Sequence, residues 1–230
     1  MPTVLIRYFC LLLLSMAILP ASAAGTVEIP VQVGGPFAVP VNSMKGLRFQ
    51  NTIHQQYDFS CGSAALATLL TYHYNHPVTE QEIFREMYER GDREKVKKEG
   101  FSLLDIKNYL TARGYKSDGY VADVDKLMVA KIPAIALIKE RGYHHFVVVK
   151  GIRDDRVLIG DPSNGTRAVT KAQFRAMSVS NILFVIRNKQ EEARFNLAAD
   201  WRVAPRGPIG DGIYRGAAEH GFAKFGPGDF

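Results

Sequence analysis

One thiol dominates the chemistry that this chain can offer. Of its two cysteines, Cys10 lies in an N-terminal apolar run and Cys61 in Gln55-Gln56-Tyr57-Asp58-Phe59-Ser60-Cys61-Gly62, just ahead of a helix-like stretch. If the first run is removed, Cys61 has no internal disulfide partner, and its chemistry is that of a free thiol. A thiolate at the start of a helix faces the positive end of the helix dipole, which predicts a lowered pKa. A histidine nearby would take the thiol proton and return it to a leaving amine. Downstream, the imidazole candidate is His145, in Gly142-Tyr143-His144-His145-Phe146-Val147, and the carboxylate candidate is Asp161, in Ile159-Gly160-Asp161-Pro162. Gln55, six residues before the thiol, is the candidate oxyanion donor, acting with the Cys61 backbone N–H.

The segment joining His145 to Asp161 reads as a hairpin, and its register decides whether the two can meet. A loop over residues 151–155 would pair Lys150 with Arg156 and set His145 opposite Asp161. A tight Asp154-Asp155 turn would pair Arg153 with Arg156. His145 would then be offset by three residues, roughly 10 Å along the strand, on the opposite face. Only the longer loop, or an equivalent bulge, brings imidazole and carboxylate together.

Each residue also has a structural reading. Free cysteines are often simply buried. His144 competes with His145, since strand alternation turns only one of them towards the helix. Asp161 before Pro162 suits a plain turn, and Gln56 competes with Gln55. His73 and His76 have ligand-like spacing, but no cysteine or acidic set surrounds them, so no metal site is read there.

The elements that must position these groups follow from patterning. Cys61 to Tyr74 is helix-like and almost without a polar face, so it reads as a central buried helix. Thr79 with Glu82 and Ser102 with Asp105 have cap spacing ahead of two further helices, the second stopping near Gly114. The charge-dense residues 90–100 read as an exposed connection, and Leu47 to Phe49 as strand-like. Strands are predicted over 132–138, 145–152, 157–160 and 182–186, with a short helix over 170–177. Helices first and strands afterwards indicate an α+β domain.

The order and spacing of Gln55, Cys61-Gly62, His145-Phe146-Val147-Val148 and Asp161-Pro162 resemble the peptidase C39 family, over about residues 45–190. These are papain-like cysteine peptidases, best known as double-glycine leader peptidases of bacteriocin exporters. The resemblance implies a papain-like fold with N-terminal helices packed on an antiparallel sheet. It implies Cys61 as nucleophile, His145 as general base and acid, Asp161 as orienting acid and Gln55 as oxyanion donor. Within the family the chain is most similar to stand-alone exported members, including those encoded with functional-amyloid (Fap-type) secretion systems. The leader peptidases are usually fused to a membrane transporter, whereas this chain carries an export signal, so double-glycine specificity does not carry over.

Length and composition set the remaining bounds. The 230 residues suffice for one domain with tails. Residues 1–23 read as a signal peptide: Arg7 precedes an apolar run to Leu19, then Pro20 and Ala21-Ser22-Ala23. The run is shorter than the roughly 20 residues needed to span a bilayer, and no later stretch is apolar enough. The expected location is therefore the periplasm, or outside the cell. Residues 24–44 read as an extended arm and 191–230 as a Gly/Pro-rich tail, flexible or docked, whose Trp201 and other aromatics would dock on the domain or bind a partner. Loss of Arg7 lowers the net charge from +6 to +5. The basic residues are dispersed, which gives no nucleic-acid site. The expected partner is a polypeptide substrate of the same secretion pathway, with no metal or organic cofactor. The competing readings are a non-cleaving substrate-binding module and another Cys-His enzyme, such as a cell-wall amidase.

Overall fold

The computed structural model describes residues 25–29, 37–41 and 43–205. The signal segment and the end of the tail, with Cys10, Tyr214, Phe222, Phe225 and Phe230, lie outside the described residues. Strands β1 (Gly25–Ile29) and β2 (Phe37–Val41) pair antiparallel as a unit of their own.

The main unit is built on a six-stranded antiparallel sheet in the order β3-β8-β4-β5-β6-β7. Its strands are β3 (Ser117–Val121), β4 (Ala134–Glu140), β5 (Tyr143–Arg153), β6 (Arg156–Asp161), β7 (Gly165–Thr170) and β8 (Ser178–Ile186). Alternation along β5 shows how the sheet divides the core. Phe146 and Val148 face one apolar cluster, and Val147 and Val149 the other.

The first cluster is covered by α2 (Cys61–Thr68), α3 (Glu80–Arg90) and α5 (Leu103–Thr111). Helix α2 is buried at every position, as its all-round apolar sequence predicts. It runs on as a π turn through Leu69–His73, with Leu66, Leu69 and Leu70 wholly enclosed. Each such side chain is worth about 1.5–3 kcal/mol of burial. Capping boxes start α3 at Thr79/Glu82 and α5 at Ser102/Asp105. The second cluster lies under α6 (Asp125–Ala130) and α7 (Lys171–Met177), the latter started by a Thr170/Gln173 capping box.

Several elements differ from their sequence reading. Residues 44–48 form the short helix α1 (Met44–Arg48), not a strand. Leu47 and Phe49 are half-buried in alternation, but the Phe49 N–H closes a helical turn on the Lys45 carbonyl. The charge-dense connection contains α4 (Arg93–Glu99). Asp92 caps it, buried Val96 anchors it, and Gly100 ends it at φ +78°. Strand β3 precedes α6, so helices and strands are not fully segregated. β3 sits at the sheet edge with most of its side chains exposed, and so carries no apolar alternation.

Candidate active site

The hairpin between His145 and Asp161 closes with the tight turn, pairing Arg153 with Arg156. Uninterrupted, that register would put the two residues on opposite faces. A β-bulge intervenes: Gly151 pairs with Leu158, but Val149 pairs with Ile159, so Lys150 is an extra residue in β5. The core records the same slip, because Val149 and Ile152, three residues apart, both face the second cluster. Past the bulge Val148 opposes Gly160. One residue further on, Asp161 lies opposite Val147, two residues from His145 and on the same face. The offset of three has become two, a diagonal that long side chains can cross. His145 Nε2 meets Asp161 Oδ2 at 3.3 Å. His144 is exposed.

Asp161 is completely buried and ends β6 in an Asx turn. Its Oδ1 accepts from the backbone N–H groups of Ser163 and Asn164 at 2.9 and 3.2 Å. Its Oδ2 accepts from Asn164 Nδ2 at 3.1 Å and Arg167 Nη2 at 3.2 Å, besides His145. Burial alone would push this carboxyl up. The hydrogen bonds from His145 and Asn164, the charge of His145 and the Ser163 N–H outweigh it and hold the pKa well below the usual carboxylate range. Asp161 is therefore ionised and a fixed acceptor. Gly165, at φ +78°, completes the turn. A Cβ there would lie 2.7 Å from Arg48 Cβ, so α1 and the acid-bearing turn can meet only around a glycine.

Cys61 opens α2 and is 8% exposed. The helix packs on β5 beside the site, where a Cβ on Gly62 would contact Phe146. Burial pushes the Cys61 thiol up, and the Asp161 charge adds a little. The N–H groups of Phe146, Gly62 and Cys61 itself pull it down, without cancelling the burial. The expected lowering by the helix start is thus present but is outweighed by desolvation. The Phe146 N–H belongs to the residue after His145, so the sulfur sits against the very strand that carries the imidazole.

Gln55 joins the same place. Its backbone N–H donates to the Pro162 carbonyl at 3.1 Å, and its Oε1 accepts from Ser163 Oγ at 2.9 Å. Its Nε2 donates to the Tyr57 carbonyl at 3.1 Å. The carboxamide N–H is thus engaged within its own loop. Gln56 instead accepts from Gln81 on α3. His73 and His76 separate: buried His73 bonds the Arg194 carbonyl through Nδ1, while exposed His76 lies edge-on to Tyr115.

Asn164 and Arg167 were not singled out from the sequence. The only local signal was the turn-rich run Asp161-Pro162-Ser163-Asn164-Gly165; Arg167 reaches the acid through the β6–β7 pairing. Glu140, His145 and Asp161 present potential metal-ligand atoms within 4.8 Å of one another. However, Arg167 binds both carboxylates, at 2.6 Å to Glu140 and 3.2 Å to Asp161, so its guanidinium already supplies the positive charge there. An open cleft of about 390 Å³ lies beside His145, lined by Arg48, Glu140, Tyr143, Asn164 and Arg167 among others.

A buried thiol at a helix start, against a sheet bearing a linked imidazole and carboxylate, defines the papain-like class of cysteine peptidases. The chain belongs to the peptidase C39 family, which it matches over residues 50–190. It is 40% identical over 168 residues to a probable functional amyloid protease, FapD, of Pseudomonas fluorescens, covering 73% of each chain. Its identity to the Pseudomonas aeruginosa protein of the same name is 37% over 178 residues, covering 76% of this chain and 78% of that one. The fold is also that of the peptidase domain of Streptococcus ComA, a bifunctional ABC transporter. The match has a TM-score of 0.50 at 20% identity and covers 59% of this chain and 96% of that domain. The chain is accordingly a hydrolase of the cysteine peptidase type. None of its described helices is long and apolar enough to cross a membrane.

Proposed function

We propose that the protein is an exported cysteine peptidase that cleaves a polypeptide of a functional-amyloid secretion pathway, with Cys61, His145, Asp161 and Gln55 as its machinery. The observation that carries the site assignment is the His145–Asp161 contact on the strand whose next amide, Phe146 N–H, addresses the Cys61 sulfur. The amyloid link is supported by the names of the two Pseudomonas relatives.

With Nε2 directed at Asp161, Nδ1 is the imidazole nitrogen left to serve sulfur. Nδ1 takes the thiol proton as Sγ attacks the scissile carbonyl carbon. The carbonyl oxygen becomes an oxyanion, bound by the Cys61 N–H and by Gln55 Nε2 once substrate frees that amide from Tyr57. One such donor is worth about 3–4 kcal/mol of barrier. The C–N bond then breaks, Nδ1 hands its proton to the leaving amine, and the acyl group remains as a thioester on Cys61. A water molecule, deprotonated by the same nitrogen, attacks the thioester and releases acid and thiol. Asp161 stays ionised throughout and keeps the imidazole in the required tautomer.

Residues 1–23 direct the chain to the periplasm, a reading supported by the basic n-region, the apolar run and Ala21-Ser22-Ala23. The mature N-terminus should be Ala24, which N-terminal sequencing reads directly. The deciding experiment compares envelope and secreted polypeptides from strains carrying Cys61 or Cys61→Ala. A pathway polypeptide that persists uncleaved only with the variant supports the proposal, and identical processing in both strains refutes it.

A further inference from the structure

The bulge that makes His145 face Asp161 is held from outside the matched family region. We infer that Lys150, locked to Asp200 and Asn196 of the segment after residue 190, is a positioning residue that sets the register of the catalytic pair. This rests on the proposed roles of His145 and Asp161.

Lys150 is an unusual residue to insert into a core strand. Its side chain is fully buried, as is that of Asp200 in α8 (Ala198–Trp201). Nζ donates to Asp200 Oδ1 at 3.0 Å and to the Asn51 carbonyl at 2.7 Å, with Thr166 Oγ1 further off at 3.4 Å. Asn51 Nδ2 donates to the same Asp200 oxygen at 2.8 Å. The ammonium thus ties the bulge to the segment that leads to Gln55, to β7 and to α8. Asp200 Oδ2, buried as well, has no hydrogen-bond partner among the described residues. A buried ion pair with a carboxylate oxygen left over is poor evidence of stabilisation and better evidence of specificity.

The backbone around the bulge is clasped separately. The Asn196 N–H donates to the Lys150 carbonyl at 3.0 Å, and its Oδ1 accepts the Ile152 N–H at 2.7 Å. Asn196 holds φ at +60° to do this. Between those two bonds lies Gly151, where a Cβ would come 2.4 Å from Asn196 Oδ1 and 3.1 Å from Trp201 Nε1. Trp201 is buried beneath the guanidinium groups of Arg153 and Arg156, which flank the turn. The family model matches residues 50–190, so every group from Asn196 to Trp201 that secures this slip lies beyond the matched span. Were Lys150 paired in the ladder instead of left out of it, the tight turn would return His145 to the wrong face.

The test uses the full mature chain and two variants, Lys150→Met and Asn196→Ala. Folding is checked by circular dichroism. Steady-state kinetics are measured on a peptide that the parent cleaves, and the low-field His145 Nε2–H resonance is followed by NMR. In Lys150→Met and Asn196→Ala chains that remain folded, kcat should fall at least about 30-fold with KM within about 3-fold. The Nε2–H resonance should weaken or shift in both. A folded Lys150→Met protein with kcat, pH profile and resonance like the parent's, differing only in melting temperature, overturns the inference. If the parent cleaves nothing but the resonance responds as stated, the peptidase proposal fails and the register inference stands. Unchanged resonances in folded Lys150→Met and Asn196→Ala chains overturn the inference whatever the activity.

Discussion

Replacing Asp161 with asparagine isolates the charge of the buried acid at nearly constant shape. Asp161 accepts from two backbone amides on Oδ1 and from His145, Asn164 and Arg167 on Oδ2. An asparagine can keep its oxygen for the two amides only by turning its NH2 towards three donors. The imidazole must then present a lone pair at Nε2 and carry its proton on Nδ1, where the thiol needs a base. Losing one charge-assisted hydrogen bond is worth about 1.5–3 kcal/mol, which is roughly 10–150-fold in rate. The wrong tautomer adds to this, so kcat should fall between about 10² and 10⁴ with KM little changed. Stranding buried donors should also remove about 2–4 kcal/mol of stability, or about 4–16 °C in melting temperature for a chain of this size. The pH dependence has a definite sign. The folded pKa of Asp161 is depressed, so its contribution is fully present above the unfolded value of about 3.8 and is lost as pH falls through the folded one. The stability gap between parent and variant should therefore narrow below about pH 4. Peptide-cleavage kinetics and thermal melts from pH 2 to 8 read both effects, with exposed Glu99→Gln as control. A variant within about 5-fold of parental kcat, with an unchanged pH profile, refutes the assignment of Asp161.

Three further outcomes are expected. Burial holds the Cys61 thiol above its ordinary pKa, so iodoacetamide should alkylate the free protein faster as pH rises past 8; a flat rate down to pH 5 would reveal a standing thiolate and contradict this. Gln55→Ala should lower kcat about 10²-fold through loss of one oxyanion donor, whereas Gln56→Ala, on the α3 side, should change it less than 2-fold; equal effects would remove Gln55 from the mechanism. Gly165→Ala puts a side chain at φ +78° and 2.7 Å from Arg48 Cβ, so a stability loss of about 1–3 kcal/mol is expected, and a urea midpoint unchanged from the parent would show that α1 yields easily.

Local chemistry was legible where a residue and its partner lie within one or two turns of chain. Thr79 with Glu82 and Ser102 with Asp105 could be read as helix starts because a cap is a three-residue matter. The enclosure of α2 followed from its lack of a polar face. Leu47 to Phe49 misled because a half-buried pair two residues apart suits a strand as well as the end of a short helix. Edge strand β3 was silent because one exposed strand need not alternate.

What the sequence determined by itself was the cast and its order: a thiol at a helix mouth, Gln55 before it, His145 on a strand and Asp161 at a turn. Composition and spacing settle such matters because they depend only on neighbours along the chain. The tertiary structure decided which of these groups meet, joining His145 to Asp161 and Gln55 to the turn after it. A bulge that leaves Lys150 out of the ladder keeps His145 on the acid's face. That slip is stabilised by Asn51 and by Asn196, Asp200 and Trp201, about 100 residues before it and about 50 after. Arg167 and Asn164 reach the acid only once β6 and β7 have paired. Strand parity is a global property set by where every hydrogen bond finally closes, so no local pattern could announce it.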